Sequence, residues 1–170
     1  YHVACVGKYI IEKMTRISVE VDIASEFQYR DPIIDEHTLM IVISQSGTTA
    51  DTITAMRKAK AQGAHILAIV NVIGSVIAKE ADDVLYTWAG PEIAVATTKA
   101  YSTQLSVIYL LAIKMAELTG KISFNERKTD RFISRGRTCA CSSAADKFRT
   151  SAEDYDHPAY IRCAWLHNAG

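Results

Sequence analysis

The sequence predicts an α/β domain: a parallel sheet with helices on both faces. Two observations carry this. Strand and helix signals alternate along the first 120 residues, and β-α-β-α order produces parallel sheets covered on both sides. The strands also read as short continuous apolar runs, L-M-I-V-I at 39–43 and I-L-A-I-V at 66–70, the pattern of strands buried on both faces.

The elements follow in order. Residues 18–23 (S-V-E-V-D-I) alternate polar and apolar side chains, as a half-buried strand does. The run at 39–43 is the next strand. A helix is expected over 49–62, with Ile53, Met56, Ala59 and Lys60 near one stripe and Gly63 as its stop. The run at 66–70 is a further strand. Ser75 is placed to N-cap a short helix over 76–81. A shorter strand is expected at 84–86. A long helix follows over 98–119, with Tyr101, Leu105, Ile108, Ala112 and Met115 on one face and Gly120 ending it.

Organisation is uneven. The 19 basic and 19 acidic residues cancel, but residues 1–120 hold 10 and 13 of them and residues 121–170 hold 9 and 6. Val, Ile, Leu and Met number 38 in the first part and four in the second. Apolar burial is the main term opposing chain entropy, so a folded domain over 1–120 and a weakly structured, unassigned tail over 121–170 are expected. The neutral total argues against a nucleic-acid binder. No run of 18 apolar residues marks a membrane span, and the first eight residues do not read as a signal peptide. There is no initiating Met, so a fragment of a longer chain is expected. Cys139, Cys141 and Cys163, with His157 and His167, match no standard zinc spacing. Free thiols in a reducing compartment and no metal are the expectation.

In a sheet of this class, ligands bind beyond the carboxyl ends of the strands. The loop after Ile43 reads Ser44-Gln45-Ser46-Gly47-Thr48-Thr49 and opens a helix. Hydroxyls, a glycine and free helix N–H groups together suit a phosphate or another anion. The same residues also suit a plain turn and helix cap. No G-x-x-x-x-G-K-[ST] and no G-x-G-x-x-G occurs, so nucleotide triphosphate use is not expected. A second segment, 91–99 (P-E-I-A-V-A-T-T-K), follows the 84–86 strand and leads into the long helix. It would lie on the same edge as the first loop. Thr97 and Thr98 could serve the anion or only cap, and Lys99 could neutralise a phosphate or lie in solvent.

Particular segments carry a resemblance: 22–30 (D-I-A-S-E-F-Q-Y-R), 39–49, 68–72 (A-I-V-N-V), 80–83, 87–93 (T-W-A-G-P-E-I) and 95–105 (V-A-T-T-K-A-Y-S-T-Q-L). Through them, residues 1 to about 122 resemble the first sugar-isomerase (SIS) domain of the glutamine–fructose-6-phosphate aminotransferase family. The resemblance implies a three-layer α/β/α sandwich with a flavodoxin-like parallel sheet. It implies a site for fructose 6-phosphate or glucosamine 6-phosphate, with Ser44, Gln45, Ser46 and Thr49 on the phosphate, Val95 giving a backbone contact to the sugar, and Thr97 where the family usually has Ser. Thr48 stands where the family often has Glu. The family converts fructose 6-phosphate and glutamine into glucosamine 6-phosphate and glutamate, without a cofactor, in amino-sugar biosynthesis. It is cytoplasmic and dimeric through these domains.

Tyr1 aligns just after the family's first strand and its Gly-Thr-Ser loop, so a domain lacking that strand, with a neighbouring edge exposed, is expected. The acid–base residues and glutaminase domain of the family find no match. A phosphosugar-binding part that is not catalytic alone is therefore expected. The alternatives are a stand-alone phosphosugar-sensing regulatory module and a non-functional remnant.

Overall fold

The computed structural model describes residues 1–91, 98–121 and 161–164. Its elements are α1 (His2–Thr15), β1 (Val19–Asp22), α2 (Ala24–Tyr29), β2 (Leu39–Ser44), α3 (Ala50–Ala61), β3 (His65–Val70), α4 (Val76–Glu80), β4 (Asp83–Tyr86), α5 (Thr98–Leu118) and β5 (Ile161–Ala164). The five strands form one sheet in the order β1-β5-β2-β3-β4, and every recorded pairing is parallel. The three-layer α/β class is as the sequence implied.

Alternation along each strand divides the core. In β2, Leu39, Ile41 and Ile43 face α1 and α5, joining Val3, Ile11, Leu67, Ile69, Ile108 and Met115 in one buried cluster. Met40 and Val42 face the opposite layer with Phe27 of α2, Ala55, Met56 and Ala59 of α3 and Ile77 of α4. All six residues of β2 are buried, which is why its sequence is a continuous apolar run instead of an alternation.

The helix ends follow local chemistry. Beyond α3, Gly63 at φ +99° donates to Lys60 O at 3.1 Å, and Ala64 donates to Ala59 O at 3.2 Å. This paired 5→2 and 6→1 closure needs the left-handed residue that glycine supplies. The same closure ends α5 at Gly120.

Differences from the sequence reading have physical causes. α3 buries Thr52, Ala55, Met56 and Ala59, and Lys60 leaves the expected stripe. Its ammonium lies 2.6 Å from Asp82 Oδ1, because a charge is costly to bury and cheap to pair at the rim. Tyr101 is exposed and Leu105 half-buried; α5 buries its later turns instead, at Ile108, Leu111, Ala112, Met115 and Ala116. α1 carried no sequence assignment. Its buried stripe is Val3, Ala4, Gly7, Ile11 and Thr15, and three of those five are small or polar.

The largest difference is β5. The sequence predicts an empty place where the family has its first strand, a neighbouring edge exposed, and no assigned element over 121–170. Here 161–164 occupies that place, pairing Val19↔Ile161 through Asp22↔Ala164 on one side and Leu39↔Ile161 and Met40↔Arg162 on the other. In flavodoxin-like order 2-1-3-4-5, β5 takes the position of strand 1. The sheet is thus continuous, and the expected open edge is occupied by a strand. A central strand satisfies backbone groups of both neighbours, which an empty slot would leave unpaired.

Candidate functional site

β2 ends at Ser44, and the chain turns through Gln45–Thr49 into α3. Ser44 is buried, and its Oγ accepts the Gly47 N–H at 3.0 Å. Gly47 sits at φ +66°. A Cβ there would lie 2.1 Å from Ser75 Oγ and 2.6 Å from Ser75 Cβ, so the turn requires a residue without a side chain. Ser46 is exposed, and its Oγ accepts from Thr48 N at 3.3 Å and from Thr48 Oγ1 at 3.1 Å. Thr49 is the N-cap of α3, but its side chain makes no capping hydrogen bond. The plain-cap reading of the loop therefore does not account for Thr49. The first-turn amides of α3 point out from the helix at the same place, with the positive end of its dipole.

The segment after β3 braces this turn. Ile77 N–H donates to Gly47 O at 3.0 Å, and Asn71 N–H donates to Gln45 O at 3.2 Å. The Asn71 carboxamide holds the next loop: its Oδ1 accepts from Thr87 Oγ1 at 3.0 Å and Ala89 N at 2.8 Å, and its Nδ2 donates to Gly90 O at 2.8 Å. Trp88 and Gly90 in that loop have positive φ, at 53° and 72°. Lys99 Nζ donates to Pro91 O, so the Lys99 ammonium is tied to this loop.

Among the described residues, three polar side-chain atoms around the turn are buried without a hydrogen-bond partner: Gln45 Oε1, Thr52 Oγ1 and Ser75 Oγ. Ser75 holds the N-cap position of α4 as expected, yet makes no capping bond; its hydroxyl abuts Gly47 instead. Buried polar atoms of this kind cost about 1–3 kcal/mol each when unsatisfied, and they cluster here, at the carboxyl ends of the parallel strands. Among the described residues β2 pairs with β5 through Leu39 and Met40, and this is where strand order reverses, the usual place of the crevice in such sheets.

The structure thus brings Ser44, Gln45, Ser46 and Thr49 into one turn at a helix N-terminus. Val95 and Thr97 lie outside the described residues, as do Glu92, His157, His167, Cys139 and Cys141; Cys163 is described only as a strand residue. Among the described residues no group of three or more His, Cys, Asp or Glu side chains is placed to hold a metal, and no helix is long and apolar enough to cross a membrane. Asn71 and Ser75 had no functional assignment in the sequence. Their signal was position: both follow a buried strand at its carboxyl end.

Comparison with known proteins agrees with the fold. The model of the SIS domain family matches residues 1–114. The chain is 64% identical over 126 residues to a glutamine–fructose-6-phosphate aminotransferase from Clostridium tetani, covering 74% of this chain and 21% of that one. A namesake from Methanosarcina mazei is 51% identical over 123 residues, covering 72% and 20%. The chain spans about a fifth of the length of these curated relatives. Among solved structures, the C-terminal domain of a glucosamine-fructose-6-phosphate aminotransferase from Francisella tularensis superposes with a TM-score of 0.73 at 33% identity, covering 88% of this chain and 40% of that one. A glucosamine-6-phosphate deaminase from Thermotoga maritima gives 0.61 at 26%, covering 71% and 40%.

Proposed function

Because the chain belongs to the SIS domain family, we propose that it binds a phosphosugar, fructose 6-phosphate or glucosamine 6-phosphate, as the sugar-phosphate part of a glutamine–fructose-6-phosphate aminotransferase. The observation that carries this reading is the turn between β2 and α3. It presents the Ser44, Ser46 and Thr49 hydroxyls at a helix start, with Thr49 at the N-cap and not capping.

The chemistry follows from the groups. A phosphate monoester carries close to two negative charges and accepts hydrogen bonds on three oxygens. Ser44, Ser46 and Thr49 supply hydroxyl donors, the first turn of α3 supplies N–H groups, and the helix dipole adds about half a positive charge. These are neutral donors, so the phosphate is held by direction more than by net charge. Gln45 adds a carboxamide whose Oε1 is buried and has no partner among the described residues; amide and hydroxyl groups suit sugar hydroxyls equally. Val95 and Thr97 are proposed for the sugar side of the site on the family resemblance alone. The described donors around the turn are hydroxyls, amides and a carboxamide. Such a set grips and orients a sugar phosphate and does not abstract a proton from carbon at neutral pH. The proposed role is therefore binding and orientation, without catalysis by this chain alone. A soluble cytoplasmic setting and a homodimer belong to the same proposal.

Isothermal titration of glucosamine 6-phosphate into the full 170-residue chain tests the reading. The wild type is expected to give saturable heat. A Ser44→Ala, Ser46→Ala double variant with an unchanged circular dichroism spectrum is expected to lose most of it. Equal heats from the two proteins refute the assignment.

A further inference from the structure

We propose that Asn71 is a positioning residue that ties the phosphate turn to residues 87–90 of the loop after β4, so that its side chain controls affinity for sugar phosphates but not for phosphate itself. This rests on the phosphosugar reading above and assigns within that site the element that joins its two halves.

Asn71 is the first residue beyond β3, the strand between β2 and β4. It reaches the loop on each side through different atoms. Its backbone N–H donates to Gln45 O in the phosphate turn at 3.2 Å. Its carboxamide makes three bonds to the loop after β4, accepting from Thr87 Oγ1 and Ala89 N and donating to Gly90 O. Loop 87–90 thus wraps one amide group, and both its left-handed residues, Trp88 and Gly90, lie within that wrap. A carboxamide alone among side chains of this size offers an acceptor and a donor from one planar group. Asp would keep the two bonds at Oδ1 and lose the donor to Gly90 O; Ala would lose all three. The backbone bond to Gln45 survives either change, because it does not involve the side chain. The phosphate turn keeps its own supports, Gly47 N–H to Ser44 Oγ and Ile77 N–H to Gly47 O. Removing the carboxamide therefore takes three hydrogen bonds from the loop after β4, which keeps Thr87 N–H to Val70 O at 2.9 Å, and leaves the turn after β2 in place. The chain leaving Gly90 is the one that carries Val95 and Thr97.

The test uses the full chain as wild type, Asn71→Ala and Asn71→Asp, with circular dichroism to establish the fold. Inorganic phosphate and glucosamine 6-phosphate are titrated separately by 31P NMR. In Asn71→Ala, glucosamine 6-phosphate affinity is expected to fall at least about tenfold, with phosphate affinity changed less than about twofold. Asn71→Asp, which keeps two of the three bonds, should fall between and remains informative if the Ala variant does not fold. Amide exchange of the ligand-free chain is read in parallel: exchange at Ala89 should accelerate in Asn71→Ala, with Gly47 and Ile77 unchanged. Equal loss of both ligands in a folded variant overturns the proposal, since Asn71 would then only hold the phosphate turn. Unchanged affinity for both, or unchanged exchange at Ala89, overturns it as well. If the wild type binds phosphate but no sugar phosphate, the functional reading fails and this proposal with it, even where the Ala89 amide responds as expected.

Discussion

Replacing Gly47 by Ala places one methyl group where the β3–α4 loop already stands. The new Cβ would lie 2.1 Å from Ser75 Oγ, 2.6 Å from Ser75 Cβ and 3.5 Å from Val70 Cγ1. The hydroxyl could rotate away. The Ser75 Cβ could not, because it is fixed to the backbone at the start of α4. The turn and the loop must therefore move apart, which strains the Ile77 N–H to Gly47 O and Gly47 N–H to Ser44 Oγ bonds. Two costs add. Holding alanine at φ +66° costs about 1–2 kcal/mol. Relieving the overlap costs about another 1–3 kcal/mol, the range for an extra methylene in a packed site. The sum predicts a loss of about 2–5 kcal/mol of folding stability, read from urea melts at constant slope. A double variant, Gly47→Ala with Ser75→Gly, removes both short contacts and leaves only ordinary contact with Val70 and the φ cost. It should recover about 1–3 kcal/mol, since Ser75 makes no capping bond to lose and glycine is tolerated at an N-cap. A single variant within about 0.5 kcal/mol of wild type, or a double variant no better than the single, would refute the close packing of this turn on Ser75.

Thr49→Ala should leave stability within about 0.5 kcal/mol, because the hydroxyl caps nothing. Glucosamine 6-phosphate affinity should drop about tenfold or more, the worth of a hydrogen bond to a charged group; calorimetry and a thermal melt on the same sample check both. Arg162→Pro removes an amide from the strand paired with both Glu20 and Met40. It should cost at least about 2 kcal/mol, and an unchanged urea midpoint would remove 161–164 from the sheet. Asp82 supplies a pH-dependent test. Burial pushes its carboxyl up, but the Lys60 ammonium and the Ile66 N–H hold it below the usual range. Its contribution is complete above the unfolded value of about 3.9 and is lost as pH falls through the lower folded value. Urea melts from about pH 6 to 2.5 should show a shallower acid loss in Asp82→Asn than in wild type.

Much of the frame was legible in the chain because its causes are local. The runs at 39–43 and 66–70 are apolar on both faces, so each had to be a strand covered twice. Gly63 and Gly120 stop their helices through positive φ, a property of the residue itself. The Ser44–Thr49 turn was legible for the same reason: hydroxyls and glycine between a buried strand and a helix leave few other arrangements. α1 was not legible, since Ala4 and Gly7 on its buried stripe give little hydrophobic contrast. Four-residue β5 was not legible either, because Arg162 interrupts its apolar character.

The sequence by itself determined the class of fold, its two doubly covered strand runs and the turn at the carboxyl end of β2. Tertiary structure alone decided which segment occupies the slot between β1 and β2. Parallel pairing joins residues distant along the chain, and backbone hydrogen bonds carry no side-chain label. It alone decided as well that Asn71 links two loops and that Ser75 turns to Gly47 instead of capping α4. Those roles depend on which atoms other elements bring within about 3 Å, and neither spacing nor composition specifies that.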